Sequence, residues 1–338
     1  MTGTTLVIGA SGFLGSHVVK ELVARGTPDV RAMVRATSST RGIDGLPVDI
    51  HCGDIFDTDA LRVAMSGCDV VHYCVVDARP WLRDPRPMWR TNVEGLRNVL
   101  DLASEIAGLR RFVFTSSIGT IGLATNGPAD EDTPHHWSDR GGHYIRSRIA
   151  AEELVLRYAR ERGLPAVAMC VANTYGSGDF LPTPHGGMLA AAVAGRLPFY
   201  IDGYDAEVVG VEDAARAMIL AGERGRIGQR YIVAERFMST RDIYRIGCAA
   251  VDVRPPRIGV PIRAMSAAGY LGAAVGRFRQ KDTMLTPLNV RLMHIMSPMD
   301  HSKAVRELGW QPRPTAESIV AAAHFFRDRG RRVSKEAR

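Results

Sequence analysis

Two side chains near the middle of the sequence have the types and the spacing that acid–base chemistry needs. Tyr144 and Arg148 lie in the segment HYIRSRIAAEE and are four residues apart, so a helix would carry both on one face. A tyrosine hydroxyl has a reference pKa of about 10 and must ionise more easily to transfer protons near neutral pH. A cation one helical turn away favours the phenolate. The pair therefore predicts a tyrosine that acts as acid or base, assisted by the arginine charge.

A glycine-rich turn near the start of the sequence indicates where a diphosphate would bind. An apolar, β-branched run (TLVI) precedes GASGFLG, and SHVVKELVARG then has apolar residues at helical spacing. Glycines between a strand and a helix allow a sharp turn, close approach of the backbone to a diphosphate, and packing of the helix on the strand. The alternative is a plain glycine-rich turn. The residues predicted to bind a dinucleotide here are Gly9, Ser11, Gly12, Phe13, Leu14 and Gly15.

The residue after the second predicted strand bears on which dinucleotide binds. Arg35 follows the strand VRAMV, 20 residues after Gly15, where an NAD-binding chain usually has an acidic residue on the ribose 2′-hydroxyl. An acidic side chain would repel a 2′-phosphate, whereas an arginine attracts it. Thr37, Ser38 and Arg41 would add further donors. We therefore predict NADP(H), with NAD(H) as the alternative if Arg35 is only a solvated loop charge.

Later segments follow the order typical of the extended short-chain dehydrogenase/reductase family, which the chain resembles from residue 5 to about 325. They are CGDIFD, VVHYCV, NVEGLRNVL, RFVFTSSIGTIG, HYIRSRIAAEE and NTYGSGD. The finer resemblance is to the dihydroflavonol reductase-like and 3β-hydroxysteroid dehydrogenase-like branch, through TSSIGT, HYIRS and GRIGQRYIV. A bacterial subgroup associated with hopanoid biosynthesis is also similar, through GRLPFYIDG. The resemblance implies hydride transfer from a nicotinamide cofactor without a metal or a covalent nucleophile.

The resemblance also assigns roles to individual residues. It implies that Ser117 holds the substrate carbonyl oxygen, with Ser116 as the alternative, and that Tyr144 is the acid and base. It implies a structural role for Asn92. Beyond the glycine turn and Arg35, the residues implied to contact the cofactor are Asp54, Ile55, Tyr144, Arg148 and Asn173.

Two positions depart from the family pattern. Arg148 stands where the family has a lysine, and an arginine keeps the charge and the donors but is bulkier and does not deprotonate. In one alternative, the positive charge of Arg148 replaces that of the lysine and the enzyme is active. In the other, the protein binds the dinucleotide without efficient turnover. Ala172 stands before Asn173 where the family usually has a proline. This leaves open whether Asn173 contacts the carboxamide region.

Strands and helices alternate through the first half of the chain. This predicts an α/β fold, with a Rossmann-type doubly wound parallel sheet and a smaller, discontinuous C-terminal substrate domain. Segment 207–236 is predicted to form a strand, a helix and a strand that return to the main sheet. The predicted NADP-binding domain is 1–176 plus 207–236, and the predicted substrate-binding domain is 177–206 plus 237–326. Residues 327–338 are predicted to be a basic, disordered tail.

Composition and charge exclude several classes of protein. The 338 residues are 46% hydrophobic and 23% charged, close to an average soluble protein. More than half of the net charge of +7 lies in the last twelve residues, so we predict no nucleic-acid binding. The five cysteines are scattered without a CxxC pair, which argues against disulfides and metal sites and favours a cytoplasmic protein. No apolar run is long enough to predict a membrane span.

Three functions remain open from the sequence. The first is an NADP(H)-dependent oxidoreductase that interconverts a ketone or aldehyde and an alcohol on a hydrophobic, dihydroflavonol- or steroid-like substrate. The apolar segment 261–278 would line or cover its pocket, or pack as an ordinary helix. The second is an NAD-dependent nucleotide-sugar epimerase or dehydratase, which Arg35 disfavours. The third is a catalytically weak NADP-binding sensor, which only Arg148 supports. The family resemblance also implies a homodimer.

Overall fold

The computed structural model describes residues 3–293 and 295–336. The strands in these ranges are β1 (Thr4–Ile8), β2 (Asp29–Val34), β3 (Asp49–Cys52), β4 (Cys68–Tyr73), β5 (Arg111–Ser117), β6 (Ala166–Val171), β7 (Asn173–Tyr175), β8 (Phe199–Asp202), β9 (Asp205–Gly210), β10 (Arg230–Val233), β11 (Arg236–Ser239) and β12 (Ile258–Pro261). The helices are α1 (Phe13–Ala24), α2 (Thr58–Met65), α3 (Arg86–Trp89), α4 (Leu96–Ala103), α5 (Gly142–Arg162), α6 (Pro184–Val193), α7 (Val211–Arg224), α8 (Thr240–Ala250), α9 (Ile262–Phe278), α10 (Pro287–Leu292), α11 (Ser302–Leu308) and α12 (Thr315–Glu336). A π-helical turn (Arg90–Gly95) joins α3 to α4, and a 3₁₀ turn (Ile118–Thr120) follows β5.

Seven parallel strands form the main sheet of the described residues, in the order β10-β6-β5-β4-β1-β2-β3. The strand order reverses between β1 and β4, and ligands of such sheets bind where the order reverses, outside the carboxyl ends of the strands. Runs such as TTLVI and AVAMCV are buried along almost their whole length, as expected for parallel strands covered on both faces. The predicted doubly wound α/β fold is confirmed.

Helices cover both faces of this sheet and separate two cores. One core lies under α1, α7 and α11, and the other lies under α2, α4 and α5. Trp310, just after α11, is 1% exposed and donates from Nε1 to the carbonyl oxygen of Asp213, at 2.9 Å. The α11 region therefore packs with the dinucleotide-binding half, although the sequence placed it in the substrate half.

The remaining strands form two small sheets that build the substrate half. β9 lies between β11, to which it is antiparallel, and β7, to which it is parallel. Helices α6, α8 and α12 pack against this sheet around a third core, and the β8–β12 pair contacts α9. Within segment 207–236, β10 returns to the main sheet as predicted. In contrast, β9 pairs within the small sheet because β7 and β11 flank it there.

The prediction of a disordered tail from residue 327 is wrong for residues 327–336. The backbone of α12 stays helical through Glu336, while residues 337 and 338 lie outside the described residues. Two arginines anchor this helix to the substrate half. Arg327 donates to the carbonyl oxygen of Val251 and Arg329 to that of Phe180, both at 2.5 Å. A basic composition alone does not show that the charged side chains have carbonyl partners.

Candidate active site

The glycine turn after β1 has a geometry that larger residues would disrupt. Gly9 has φ = +84°, and a Cβ atom there would lie 3.0 Å from the carbonyl carbon of Cys74 at the end of β4. A Cβ atom on Gly15 would lie 2.2 Å from the carbonyl oxygen of Gly9. The Gly12 amide donates to that same oxygen at 3.0 Å. The first glycine therefore makes the turn, and the third lets α1 pack against it.

The first turn of α1 is suited to an anion. Among the described residues no side chain caps this helix, and its first turn contains no acidic residue. Its first amide groups point away from the helix and carry the positive end of its dipole. Gly12 is exposed, while Ser11, Phe13 and Leu14 are half-buried beside it. The predicted dinucleotide residues of this segment therefore surround one exposed turn, which fits a diphosphate.

An open groove joins the end of β2 to the residues after β3. It is lined by the exposed Arg35 together with Asp54, Phe56 and Arg90, among others. The Asp54 carboxylate accepts a hydrogen bond from the Phe56 amide at 3.0 Å, which shapes this wall of the groove. The Arg90 guanidinium stacks over the Phe56 ring at 4.3 Å. Ile55 is 7% exposed and packs against the π-helical turn. The structure thus brings Arg35 and Asp54 to one groove, while Ile55 packs behind it.

The two serines at the end of β5 face different partners. The hydroxyl of Ser116 is buried and donates to Glu152 Oε2 at 2.5 Å. Ser117 is half-buried, and its Oγ accepts a hydrogen bond from the Gly119 amide at 3.1 Å. Side chains alternate along a strand, so the two hydroxyls point to opposite faces of the sheet. Ser116 is therefore engaged in the protein interior, and Ser117 is the hydroxyl that remains for a substrate.

Tyr144 and Arg148 both lie on α5, as their spacing predicted. Tyr144 is half-buried in the first turn, and Arg148 is 1% exposed one turn later. Arg148 Nη2 donates to the carbonyl oxygen of Thr115 at 2.5 Å, and its guanidinium carbon lies 5.2 Å from the centre of the Phe114 ring. Among the described residues no carboxylate is paired with Arg148, and its Nε and Nη1 atoms have no hydrogen-bond partner.

The unpaired donors of Arg148 point to an acceptor from outside the protein. A buried cation without an anionic partner is costly, and so is each buried donor without an acceptor. The hydroxyl groups of a nicotinamide ribose are acceptors of this kind. Arg148 therefore fits the cofactor that the lysine of this family would hold, and it offers more than one donor.

The turn after Ser117 packs against the start of α5, the helix that carries Tyr144. In this 3₁₀ turn, a Cβ atom on Gly119 would lie 2.7 Å from Ile145 Cδ1. The start of α5 is covered from the other side by α10, since a Cβ atom on Gly142 would lie 2.6 Å from Leu288 Cδ2. Tyr144 itself packs in a small apolar cluster whose other members include Trp137, Leu292 and Ile295.

Asn92 holds the loop after β4 against α5. Its side chain exchanges two hydrogen bonds with the backbone of Asp77, with Oδ1 accepting from the amide at 2.8 Å and Nδ2 donating to the carbonyl at 3.0 Å. Nδ2 also donates to Ser147 Oγ at 3.1 Å, and Ser147 donates to the carbonyl oxygen of Tyr144 at 2.8 Å. Asn92 lies in the π-helical turn, a feature frequently found at functional sites. Its structural role agrees with the expectation from the sequence.

A buried ion pair behind the site was not predicted from the sequence. Glu152 lies one turn after Arg148 and is 4% exposed; its Oε1 accepts from Arg230 Nη1 at 2.9 Å. Arg230 also donates to the carbonyl oxygen of Glu131, in the loop between β5 and α5. This pair ties β10, that loop and α5 together. The spacing of Glu152 from Arg148 was the only sequence signal, because Arg230 is distant along the chain.

Three titratable side chains at the end of β4 stay uncharged near neutral pH. Burial lowers the pKa of His72 to about 3 and raises the pKa of Cys74 to about 11. Burial also raises the pKa of Tyr73 well above its usual range. None of the three is therefore suited to acid–base work at neutral pH, although they lie under the predicted cofactor site. This agrees with packing roles for His72 and Cys74.

The surroundings of Asn173, a predicted cofactor contact, and of His135 leave the roles of both residues open. Asn173 begins β7 and is half-buried opposite Val208, while Ala172 before it is buried and donates from its amide to the carbonyl oxygen of Val233 at 3.0 Å. The contact of Asn173 with a cofactor therefore stays a prediction. His135 lies within 3.2 Å of the carbonyl oxygen of Gly119 and stacks on an indole ring. Within the described residues, no group of three or more His, Cys, Asp and Glu side chains is placed to hold a metal ion.

Comparison with known proteins agrees with this geometry. Residues 5–234 match the NAD-dependent epimerase/dehydratase family. The chain is 30% identical to sterol demethylase protein B of Methylococcus capsulatus, over 97% of this chain and 99% of that protein. It is 29% identical to a putative dihydroflavonol 4-reductase of Synechocystis, over 98% of this chain and 96% of that protein. The crystal structure of gox2253 superimposes with a TM-score of 0.85 at 33% identity, covering 98% of this chain and 99% of that one.

These matches extend over almost the whole chain, so they concern both halves of the molecule. Dihydroflavonol reductases and a 3β-hydroxysteroid dehydrogenase/decarboxylase are among the relatives, which confirms the resemblance seen in the sequence. The family uses a nicotinamide dinucleotide, and the glycine turn, Arg148 and the groove at β2 fit one. The chain belongs to the NAD-dependent epimerase/dehydratase family and, within it, to the reductase and dehydrogenase branch of the extended short-chain oxidoreductases.

Proposed function

We propose that this protein is an NADP(H)-dependent oxidoreductase that interconverts a carbonyl group and an alcohol on an apolar substrate. The observation that carries the proposal is the buried guanidinium of Arg148, with two unpaired donors, one helical turn from the half-buried Tyr144. The bound dihydronicotinamide would supply or accept the hydride. Tyr144 would transfer the proton at the substrate oxygen, and Ser117 would hold that oxygen by a hydrogen bond.

Arg148 would act through its charge and its N–H groups. A guanidinium keeps its proton near neutral pH, so Arg148 does not pass protons as a lysine can. Its positive charge is buried without an anionic partner among the described residues, which favours an electron-rich ligand beside it. Nε and Nη1 would hold the nicotinamide ribose, while the bond from Nη2 to Thr115 fixes the side chain to β5. The substitution is therefore compatible with turnover by Tyr144.

The preference for NADP(H) rests on two arginines of one groove. Arg35 is exposed just after β2, and Arg90 lies on the same groove. These cations would bind an added 2′-phosphate, since arginine binds phosphate through paired donors. Three carboxylates also line the groove, those of Asp54, Asp57 and Asp59. Asp54 accepts from the Phe56 amide and Asp57 from the Ala60 amide, both at 3.0 Å, so two of the three are engaged with the protein.

We infer an apolar substrate from the side chains that pack around Tyr144. The cluster combines an indole with aliphatic side chains of α5, α10 and the residues after α10. A carbonyl compound that reaches Tyr144 must replace water against these surfaces. Such surroundings favour ligands that are largely apolar with few polar groups. The relatives named as dihydroflavonol 4-reductases suggest one substrate class to test.

The test is a titration of the protein with NADPH and with NADH, followed by the fluorescence of the reduced nicotinamide. We expect NADPH to bind at least about tenfold more tightly, which corresponds to about 1.4 kcal/mol, and Arg35→Asp to abolish the difference. A panel of aromatic and alicyclic ketones then tests turnover, with Tyr144→Phe as the inactive control. Equal affinities would overturn the NADP(H) assignment. Tight cofactor binding without turnover, in both the natural protein and Arg148→Lys, would identify a sensor instead.

A further inference from the structure

Helix α9 exposes the face that a helix of a folded protein normally buries. Leu271, Val275 and Phe278 are 70%, 51% and 90% exposed and recur at helical spacing. The alanines that complete this stripe are exposed as well; they are Ala264, Ala267 and Ala274. Together these side chains occupy roughly a third of the helix circumference. We call them the α9 stripe.

The opposite face of α9 is made of glycines and is already covered. The chain returns along it between α9 and α10, and a Cβ atom on Gly272 would lie 2.3 Å from the carbonyl oxygen of Leu285. A Cβ atom on Gly276 would lie 2.8 Å from Thr283 Cγ2, and one on Gly269 would lie 3.1 Å from the Pro287 nitrogen. The helix therefore cannot turn its apolar side inward without displacing this segment.

Basic side chains accompany the α9 stripe. Residues 254–293 contain seven Arg and Lys against a single acidic residue, Asp282. That aspartate accepts a hydrogen bond from the Arg83 amide at 3.0 Å and so faces the loop after β4. Arg263, Tyr270 and Arg277 recur seven residues apart along one exposed flank of the stripe, with Tyr270 at 65% exposure. An apolar stripe with cations and an aromatic ring beside it is typical of helices that lie at a membrane surface.

We propose that α9 docks this protein on an anionic lipid bilayer, with the helix lying in the interface. The stripe would enter the boundary between headgroups and acyl chains, and the surrounding cations would meet lipid phosphates. The docking is peripheral, since no described helix combines the length and the apolar character needed to cross a bilayer. A second copy of the chain is the weaker candidate. A two-fold contact would bring two strongly basic surfaces together.

Sedimentation with lipid vesicles tests the proposal. The full chain is mixed with vesicles of phosphatidylcholine alone or with a third of the lipid as phosphatidylglycerol, at 0.1 M and 0.5 M salt. We expect binding to the anionic vesicles only, weakened at the higher salt by screening. Leu271→Ser with Phe278→Ser should lower the partition coefficient at least about tenfold. Arg277→Gln with Arg279→Gln should lower it severalfold.

Matched variants elsewhere on the surface distinguish docking through α9 from nonspecific vesicle binding. Val63→Ser replaces a valine of α2 that is 64% exposed, and Arg157→Gln with Arg160→Gln replaces an exposed pair on α5. Both controls should bind vesicles as the natural protein does. All variants should keep their NADPH affinity, because none touches the cofactor site. Absence of vesicle binding, or equal losses in the controls, would overturn the proposal. A dimer that dissociates in the Leu271→Ser, Phe278→Ser variant would show that the stripe is a contact between copies.

Discussion

The glycine turn after β1 and helix α9 use glycines for different purposes. In the turn, the missing side chain of Gly15 lets α1 pack on the carbonyl of Gly9, which leaves amide groups exposed for a diphosphate. In α9, the missing side chains let the chain return along one face, which leaves apolar side chains exposed on the other. A glycine pattern therefore shows that something approaches the backbone closely. It does not show what the opposite surface is for.

The largest losses of cofactor affinity and stability are expected for a substitution at Gly15, where two backbone segments approach each other closely. Gly15→Val would place a side chain against the carbonyl oxygen of Gly9, and neither segment can move without displacing β1 or α1. We expect a loss of NADPH affinity of at least about 100-fold and a lower free energy of unfolding, by about 3 kcal/mol. Cofactor titration and urea denaturation measure the two. Gly187→Ala on α6 serves as the control, because a Cβ atom there would meet only Pro182 Cβ, at an ordinary contact distance of 3.7 Å. Unchanged affinity in Gly15→Val would disprove this account of the turn.

The next largest effect is a loss of kcat on substitution of a serine at the end of β5, in the same half of the molecule as the glycine turn. Ser117→Ala should lower kcat by about 100-fold or more with little change in stability, because its hydroxyl faces the substrate in our proposal. Ser116→Ala should leave kcat within a fewfold and lower the free energy of unfolding by about 1 kcal/mol, because Glu152 loses a donor. Steady-state kinetics and urea denaturation of both variants check this. A reversed pattern would assign the carbonyl contact to Ser116.

A pH effect is expected at the small sheet of the substrate half. Glu207 is 2% exposed, accepts from the Met299 amide at 2.7 Å, and has its pKa raised to about 7, chiefly by burial. The folded protein then binds this proton more tightly than the unfolded chain, so the stabilisation is complete below about pH 4.5 and is lost as pH rises through 7. The loss is on the order of 3 kcal/mol.

The variant Glu207→Gln isolates this effect, because its amide oxygen can still accept from Met299. Its stability relative to the natural protein should rise between pH 5 and pH 8. Urea denaturation at several pH values measures the difference. A constant difference across this range would show that Glu207 does not titrate there.

The smallest loss of stability is expected for a glycine substitution in α9. The segment that approaches this helix closely, between α9 and α10, lies at the surface and can move. Gly272→Ala gains about 1 kcal/mol of helix propensity but places a methyl group against the Leu285 carbonyl, which costs about 1–3 kcal/mol. We expect a net loss of about 1 kcal/mol in the free energy of unfolding and faster proteolysis between α9 and α10. NADPH affinity should stay within twofold. A large loss of NADPH affinity would show that the packing of α9 and the cofactor site are coupled.

Local patterns predicted the elements of the dinucleotide half well. The strand, glycine turn and helix at the start of the chain depend on neighbouring residues, and the Tyr144–Arg148 pair depends only on the helical period. The end of β2 just before Arg35 was predicted for the same reason. These features follow from interactions within about a dozen residues, which the sequence displays directly.

Tertiary structure decided what depends on partners distant along the chain. The sequence does not show that Glu152 packs behind β5 and engages Ser116, the contact that supports Ser117 in our proposal. The buried pair of Glu152 with Arg230 likewise joins segments that no local pattern connects. The helical course of residues 327–336 depends on carbonyl groups of two other segments. The outward stripe of α9 depends on the return of the chain along its glycine face. The sequence by itself determined the fold class, the glycine turn and the spacing of the reactive pair. Only packing decided which side of each element faces a ligand, the core or the solvent, because that depends on which distant segment covers it.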